Sequence, residues 1–311
     1  MSSDQAPPSA PARSAKALVV EGFRTAIQGT ADAADRAQAG AAEAVTAYRL
    51  AVHRARAAFR LVKGELGGAA RRRTRDLLRA AAVDADAEQL VPVALAALAG
   101  WSLTGDTRIT ADAVIERVQR HAPTPDSLAS SLRQAADGVS SDDPASALAG
   151  AIPDDLRRRV LVRAVTDSYR AAREAASGAH RSARRFRRWH RRCLDLALQL
   201  DLLAEGREAG ALRVIADRYD GLARDVGECA DLLDALALLK QPTADDSPAD
   251  DREPLRRSLR APLDERMKAV REGARGLFPH GGKTFASELK DALRGDDDPG
   301  AEADRGDEST T

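Results

Sequence analysis

Residues 49–63 read RLAVHRARAAFRLVK, and this stretch decides the fold class. Basic residues recur in it at spacings of four and three, which places them on one face of an α-helix. We name this row the first basic stripe, and its members are Arg49, His53, Arg56, Arg60 and Lys63. The opposite face carries the apolar residues Leu50, Ala51, Val52, Ala55, Phe59 and Val62. The pattern predicts an amphipathic helix with a basic face and a core face.

The composition of the whole chain favours the same kind of structure. Only 3% of the residues are aromatic although 43% are hydrophobic, so a core must consist mainly of Ala, Leu and Val. Strands prefer β-branched and aromatic residues, and no segment shows the alternating pattern of a strand. We therefore predict an all-α protein, with helices over residues 15–38, 41–66, 70–82, 87–101, 111–121, 127–136, 154–177, 180–205, 209–239, 253–277 and 284–293.

Composition also divides the chain into segments. Residues 1–14 predict a disordered lead, and residues 294–311 predict a disordered acidic tail without apolar residues for a core. Residues 15–293 form one helical domain, whose seam is the loop of residues 139–145, rich in Ser, Asp and Pro. Each side of the seam has a long basic helix followed by apolar helices. We therefore predict two similar halves, residues 15–143 and 144–293.

Basic residues gather in a second place, although the net charge is zero. Residues 180–192 contain seven arginines and no acid. The second basic stripe consists of His180, Arg184, Arg187 and Arg191, at spacings of four, three and four, together with Arg188 beside them. Phe186, Trp189, Cys193 and Leu196 form the packing side of this helix. Rows of like charge repel one another unless an anion neutralises them, so we interpret both stripes as anion sites. A solvated surface patch without a ligand is the alternative.

Further basic and polar residues extend this interpretation. Arg72, Arg75 and Arg79 share a helix face and predict a second wall of the site, and Asp76 is expected to pair with Arg72 or Arg73. His53 and His180 each open a basic stripe at the same phase and are candidate ligand contacts. The roles of His190 and His280 stay open, and the two cysteines, Cys193 and Cys229, are expected in the core.

The first stripe resembles the first motif of the CHAD family, the conserved-histidine α-helical domain. In that motif a His is followed by basic residues at plus three, plus seven and plus ten, and His53, Arg56, Arg60 and Lys63 stand at these places. Residues 168–173 and the His180 segment resemble the second motif, with Ala183 where the family usually has Arg. Residues 226–233 are similar to a recurring helix turn, and residues 276–289, with Lys283, to the usual ending of the domain. The resemblance implies two helical bundles, related by a pseudo-twofold axis, around a basic groove or pore.

The resemblance also implies a function, which is binding of inorganic polyphosphate without catalysis and without a cofactor. Repeated Arg forks suit a chain of phosphates, whereas a single-strand nucleic-acid binder needs exposed aromatic residues for stacking. The Gly-Gly-Lys-Thr sequence at residues 281–284 lacks the spacing and the preceding strand of a P-loop. We expect a cytoplasmic protein without a membrane span, associated with polyphosphate or storage granules in some settings. The alternatives are a nucleic-acid-binding or scaffold protein, and an accessory subunit of a phosphate-metabolising enzyme or a cryptic phosphatase.

Overall fold

The computed structural model describes residues 14–41, 43–101, 108, 111–113, 115–116, 124–205, 210–239, 252–279 and 281–295. The regular elements in these residues are all helical, as the composition predicted. In chain order they include α1 (Ala15–Gln38), α2 (Ala44–Val62), α3 (Gly68–Gly100), α4 (Pro125–Ser140), α5 (Pro144–Ala151), α6 (Arg158–Gly178), a 3₁₀ turn (Ala179–Arg181), α7 (Ala183–Ala204), α8 (Ala211–Leu238), α9 (Arg252–Leu277) and α10 (Gly282–Gly295). Residues 1–13 and 296–311 of the predicted lead and tail lie outside the described residues.

Most helix boundaries agree with the sequence prediction, and two predictions need correction. The predicted helices at residues 70–82 and 87–101 are a single helix, α3, because the intervening residues 83–86 contain neither Gly nor Pro to interrupt it. The predicted loop at residues 139–145 contains only residues 141–143, and helix α5 follows it. This helix begins with Pro144, and the Asp143 side chain accepts a hydrogen bond from the Ser146 amide at 3.1 Å. Of the predicted helix at residues 111–121, the described residues are helical.

Helix contacts place the two basic helices against each other. In the first half α1 packs on α2 and α4, and α3 packs on α2 and α4. In the second half α7 packs on α6 and α8, while α9 packs on α8 and α10 packs on α6. Between the halves α2 contacts α6 and α7, and α3 contacts α8. Both stripe-bearing helices, α2 and α7, therefore lie where the halves meet. None of the described helices is long and apolar enough to cross a lipid bilayer.

Four aromatic side chains hold the second half together. Tyr169 of α6 stacks on Phe285 of α10 with 4.1 Å between ring centroids, and its ring lies 5.3 Å from that of Phe278. Tyr219 of α8 contacts the same rings and donates a hydrogen bond to the Leu277 carbonyl at 2.8 Å. All four rings are buried. They fix the end of α9 against α6, which positions one of the cavities described below.

The start of α7 depends on a side-chain cap. The Ser182 hydroxyl accepts a hydrogen bond from the Arg185 amide at 3.2 Å, while the preceding residues form the 3₁₀ turn. We expect Ser182→Ala to lower the free energy of unfolding by about 1 kcal/mol, because an amide of the first helical turn loses its acceptor. Urea denaturation measures this change. Ser182→Thr keeps the hydroxyl and is the control, and equal losses in both variants would contradict the cap.

Candidate functional site

The first basic stripe lies mostly against other helices rather than on open surface. Arg49, His53, Arg56 and Arg60 are each half-buried, and only Lys63, at the end of α2, is exposed. The Arg56 guanidinium donates a hydrogen bond to the Leu78 carbonyl of α3 at 3.2 Å. The opposite face is buried as predicted except for Leu50, which is half-buried.

Arg60 forms an ion pair that joins the two halves of the protein. Its partner is the buried carboxylate of Asp195 on α7, and Arg192 lies 3.9 Å from the same carboxylate. Burial lowers the pKa of Arg60 to about 10, and the nearby charges of Arg192 and Arg56 contribute. The guanidinium remains charged at neutral pH. The α2–α7 contact thus contains a salt bridge between a half-buried guanidinium and a buried carboxylate.

A central cleft of about 790 Å³ lies between α2, α3, α7, α8 and α9. Both halves supply a histidine to it, His53 from α2 and His190 from α7. His190, whose role the sequence left open, therefore lies in the same cleft as His53, whereas His180 does not line this cleft. Gly227 of α8 leaves room for this histidine, because a Cβ atom there would lie 3.1 Å from the His190 Nε2 atom and the imidazole would have to shift.

The charges of the central cleft are balanced. Its lining includes the cations Arg49 and Arg266 and the acids Glu228 and Asp231, and Arg266 forms an ion pair with Glu228. Burial lowers the pKa of His53 to about 3, helped by neighbouring arginines, and lowers that of His190 to about 4. Both histidines are therefore neutral at pH 7. The central cleft does not offer the excess positive charge that a long polyanion requires.

Burial also acts on the second acid of this cleft, Asp231, which forms no ion pair with any described residue. The pKa of Asp231 is raised to about 6 by burial, with Arg49 opposing the shift and the carboxylates of Asp234 and Glu228 adding to it. This carboxyl group releases its proton only near neutral pH. The cleft therefore holds three titratable groups whose proton affinities differ from their ordinary values.

The second basic stripe divides into a buried part and an exposed part. Arg187 is half-buried, pairs with Asp234 of α8 and donates a hydrogen bond to the Leu233 carbonyl at 3.0 Å. Four other arginines of α7 are exposed and line a cavity of about 440 Å³ together with Ser182, whereas Arg192 is half-buried near Asp195. We name them the arginine face, which consists of Arg184, Arg185, Arg188 and Arg191.

The arginine face lacks the acidic partners that arginines elsewhere on the surface have. On α8 and α9, for example, arginines pair with acids three or four residues away, as in Arg224–Asp220, Arg256–Glu253 and Arg260–Asp264. No residue of the arginine face has an ion pair or hydrogen-bonded acid within the part of the chain that the structure describes. The lining of the cavity contains no acid. Arg185 was not among the predicted site residues. The sequence signal that could have placed it is Ser182, whose cap fixes the start of α7 and therefore the face on which Arg185 lies.

The remaining predicted site residues lie apart from the arginine face. Arg72 and Arg75 are exposed on α3, where Asp76 pairs with Arg75 at 2.9 Å. The predicted pairing of Asp76 with Arg72 or Arg73 is corrected accordingly, since Arg73 pairs with Asp142 of the loop after α4.

Two further predicted site residues lie in the second half. Lys283 is exposed in the first turn of α10. His180 is exposed in the 3₁₀ turn and lines another cavity, between α6 and α9. The structure thus distributes the predicted residues over several surfaces, of which the arginine face is the most concentrated.

Comparisons with known proteins leave the family resemblance as an expectation. No protein-family model, curated protein or solved structure matches this chain. Within the described ranges no group of three or more His, Cys, Asp or Glu side chains is placed to hold a metal ion.

Proposed function

We propose that the protein binds inorganic polyphosphate through the arginine face, without catalysis and without a cofactor. The observation that supports this proposal is the row of four arginines on α7, which pair with no acid among the described residues and surround a cavity with no acid in its described lining. Each guanidinium is permanently charged and presents a planar fork that matches two phosphate oxygens. Repulsion within the row is relieved when an anion lies along it. A cytoplasmic location, with association to polyphosphate granules, belongs to the same proposal.

The aromatic residues near the basic helices favour a phosphate chain over single-stranded nucleic acid. Phe59, Phe186 and Trp189 are the aromatic residues within the two basic stretches, and all three are buried. They are therefore unavailable for base stacking, which contributes much of the affinity of single-strand binders. Binding to the backbone of duplex nucleic acid needs no aromatic residue, so a duplex must be included in the test.

The arrangement of the two halves supports membership of the CHAD family as part of the proposal. In each half three successive helices pack in the same order, α1–α2–α3 and α6–α7–α8. In each half the middle helix donates an Arg hydrogen bond to a Leu carbonyl of the next helix, Arg56 to Leu78 and Arg187 to Leu233. The spacings around these arginines agree, since residues 53, 56 and 60 correspond to residues 184, 187 and 191. These correspondences favour a pseudo-twofold relation between two helical bundles.

The test compares polyphosphate binding by the native protein with that of Arg184→Glu/Arg188→Glu. We expect affinity for long-chain polyphosphate to fall steeply with salt, because binding releases counterions. The double variant should bind roughly a hundredfold more weakly, since two charge-assisted contacts become repulsive. Fluorescence anisotropy with labelled polyphosphate, measured across a salt series, gives both quantities.

A matched control is available on α6. Arg159 and Arg163 are exposed, stand four residues apart like Arg184 and Arg188, and line none of the cavities described above. Arg159→Glu/Arg163→Glu changes the net charge equally and should leave binding within a few-fold. Equal losses in both double variants, or no binding by the native protein, would overturn the proposal. Equal affinity for duplex DNA at the same salt would replace polyphosphate by polyanions in general.

A further inference from the structure

A second basic cavity, of about 620 Å³, lies between the end of α6, the 3₁₀ turn and α9. It shares no lining residue with the arginine face or with the central cleft. Its volume lies within the range of ~300–1,000 Å³ that is common for small-ligand sites. Its polar lining consists of Arg173, Ser177, His180, Lys268, Arg271, Arg275 and Glu272. Of these polar lining residues, only His180 was predicted from the sequence as a site residue.

The charge of this cavity is strongly positive. Four cationic side chains, from α6 and α9, face one acid, Glu272. Arg173, Lys268 and Arg275 have no ion pair with any acid in the described segments. Arg271 uses its Nε atom to donate to the Met267 carbonyl at 3.1 Å, which aligns the guanidinium along α9. Cations that gather without acidic partners on two different helices favour a multiply charged anion between them.

The walls of the cavity are held in place by the aromatic cluster. Phe278 contributes an apolar part of the lining, is buried, and packs against Tyr169 of α6. The cavity therefore has a fixed width at the end of α9. Among the described residues Phe278 is the only Phe, Tyr or Trp in the lining, and its ring is engaged in the core. The charged lining suits phosphate groups.

We propose that this cavity is a separate anion site that takes a compact oligophosphate, such as tripolyphosphate, between α6 and α9. Arg173 and Arg275 supply bidentate forks, Lys268 adds a point charge, and Ser177 and His180 offer hydrogen-bonding groups. A cavity whose charges come from two helices suits a compact anion that lies between them, whereas the arginine face runs along one helix and suits an extended anion. The site goes beyond the proposed function, because it uses none of the residues of the arginine face.

Isothermal titration calorimetry with tripolyphosphate tests this inference. We expect the native protein to bind one equivalent, and Arg173→Gln/Lys268→Gln to weaken the affinity by roughly tenfold or more. The matched control is Arg163→Gln/Lys290→Gln, which removes one Arg and one Lys charge from exposed positions outside the cavity. This control should keep the native affinity. Failure of the native protein to bind, or an equal loss in the control, would overturn the inference.

A second variant separates this site from the arginine face. Arg184→Gln/Arg188→Gln should bind tripolyphosphate as the native protein does, even where its affinity for long polyphosphate has fallen. Loss of tripolyphosphate binding in this variant would place the ligand on the arginine face and refute the second site. Long polyphosphate can also be tested as a competitor of tripolyphosphate. Competition in proportion to the concentration of its chain ends would identify a chain terminus as the occupant, and absence of competition would identify a free oligophosphate. Either result agrees with a site in this cavity.

Discussion

Replacing Arg60 by methionine should lower the free energy of unfolding by about 3 kcal/mol, because the carboxylate of Asp195 would remain buried without its main partner. Asp195 is 6% exposed and belongs to α7, whereas Arg60 belongs to α2. Methionine keeps the apolar stem of the arginine, so the loss reports mainly on the charge. Arg192, at 3.9 Å from the carboxylate, limits the loss by compensating part of it.

Replacing the acidic partner instead should lower the free energy of unfolding by less. Asp195→Leu leaves the Arg60 guanidinium without its partner, but the Arg60 side chain is 34% exposed and can turn towards water. We expect a loss of about 2 kcal/mol. The double variant Arg60→Met/Asp195→Leu should regain much of the stability, because neither charge is left buried. Urea denaturation of the four proteins completes the cycle, and strictly additive losses would show that the pair is not coupled.

The same variants decide whether Arg60 contacts a ligand. Its position in the first motif predicts a phosphate contact, whereas its ion pair with Asp195 indicates a structural role. If the role is structural, Arg60→Met/Asp195→Leu should bind long polyphosphate as the native protein does under conditions where it is folded. A large loss of affinity in a fully folded double variant would restore Arg60 to the binding site. Circular dichroism on the binding samples verifies folding.

Features that depend on helix periodicity were predictable from the sequence. Val52 and Phe59 on α2, and Phe186 and Trp189 on α7, are buried as their phases required. Cys193 and Cys229 are buried free thiols, as expected of small apolar residues. These features follow from the 3.6-residue repeat alone, because a residue on the apolar face of an amphipathic helix has only the core to pack against.

Features that depend on distant partners were not predictable in this way. Arg60 and Asp195 are far apart in sequence, and Arg187 and Asp234 belong to different helices, so spacing within one helix does not show that these charges are paired. The phase of His180 was wrong for a related reason. The predicted helix at residues 180–205 begins only at Ala183, after a 3₁₀ turn, and a turn of different pitch takes His180 out of the row of α7 arginines.

One basic group that was not predicted could have been found from the spacing of its residues in the sequence. Lys268, Arg271 and Arg275 of α9 stand at spacings of three and four, the same criterion that identified the first stripe. Nearby acids such as Asp264, Glu265 and Glu272 hide this row in any count of charge along the chain. The structure resolves the ambiguity, since Asp264 pairs with Arg260 and only Glu272 lines the cavity. Burial and pairing, rather than charge density, therefore separate the arginines proposed to bind an anion from structural ones.

Acidification from about pH 6 to about pH 4 should destabilise the protein by about 3 kcal/mol through the central cleft. In the folded state the pKa values of His53 and His190 are about 3 and about 4, against an ordinary value of 6.5. The unfolded chain therefore takes up these two protons first, and the stability that the neutral histidines contribute is complete above pH 6.5 and falls below it. Asp231 acts in the opposite direction, because its raised pKa of about 6 lets the folded state take up one proton first.

Unfolding therefore takes up one net proton, because the two histidines bind two protons and Asp231 releases one. The free energy of unfolding should fall by about 1.4 kcal/mol for each pH unit of acidification. Two variants separate these contributions when denaturation is measured between pH 6 and pH 4.5. His53→Gln should abolish most of the slope, since one histidine and Asp231 then cancel. Asp231→Asn should roughly double the slope, since nothing then opposes the two histidines. An unchanged slope in both variants would mean that these groups do not titrate as their burial requires, and that the two halves do not exclude water from the cleft between them.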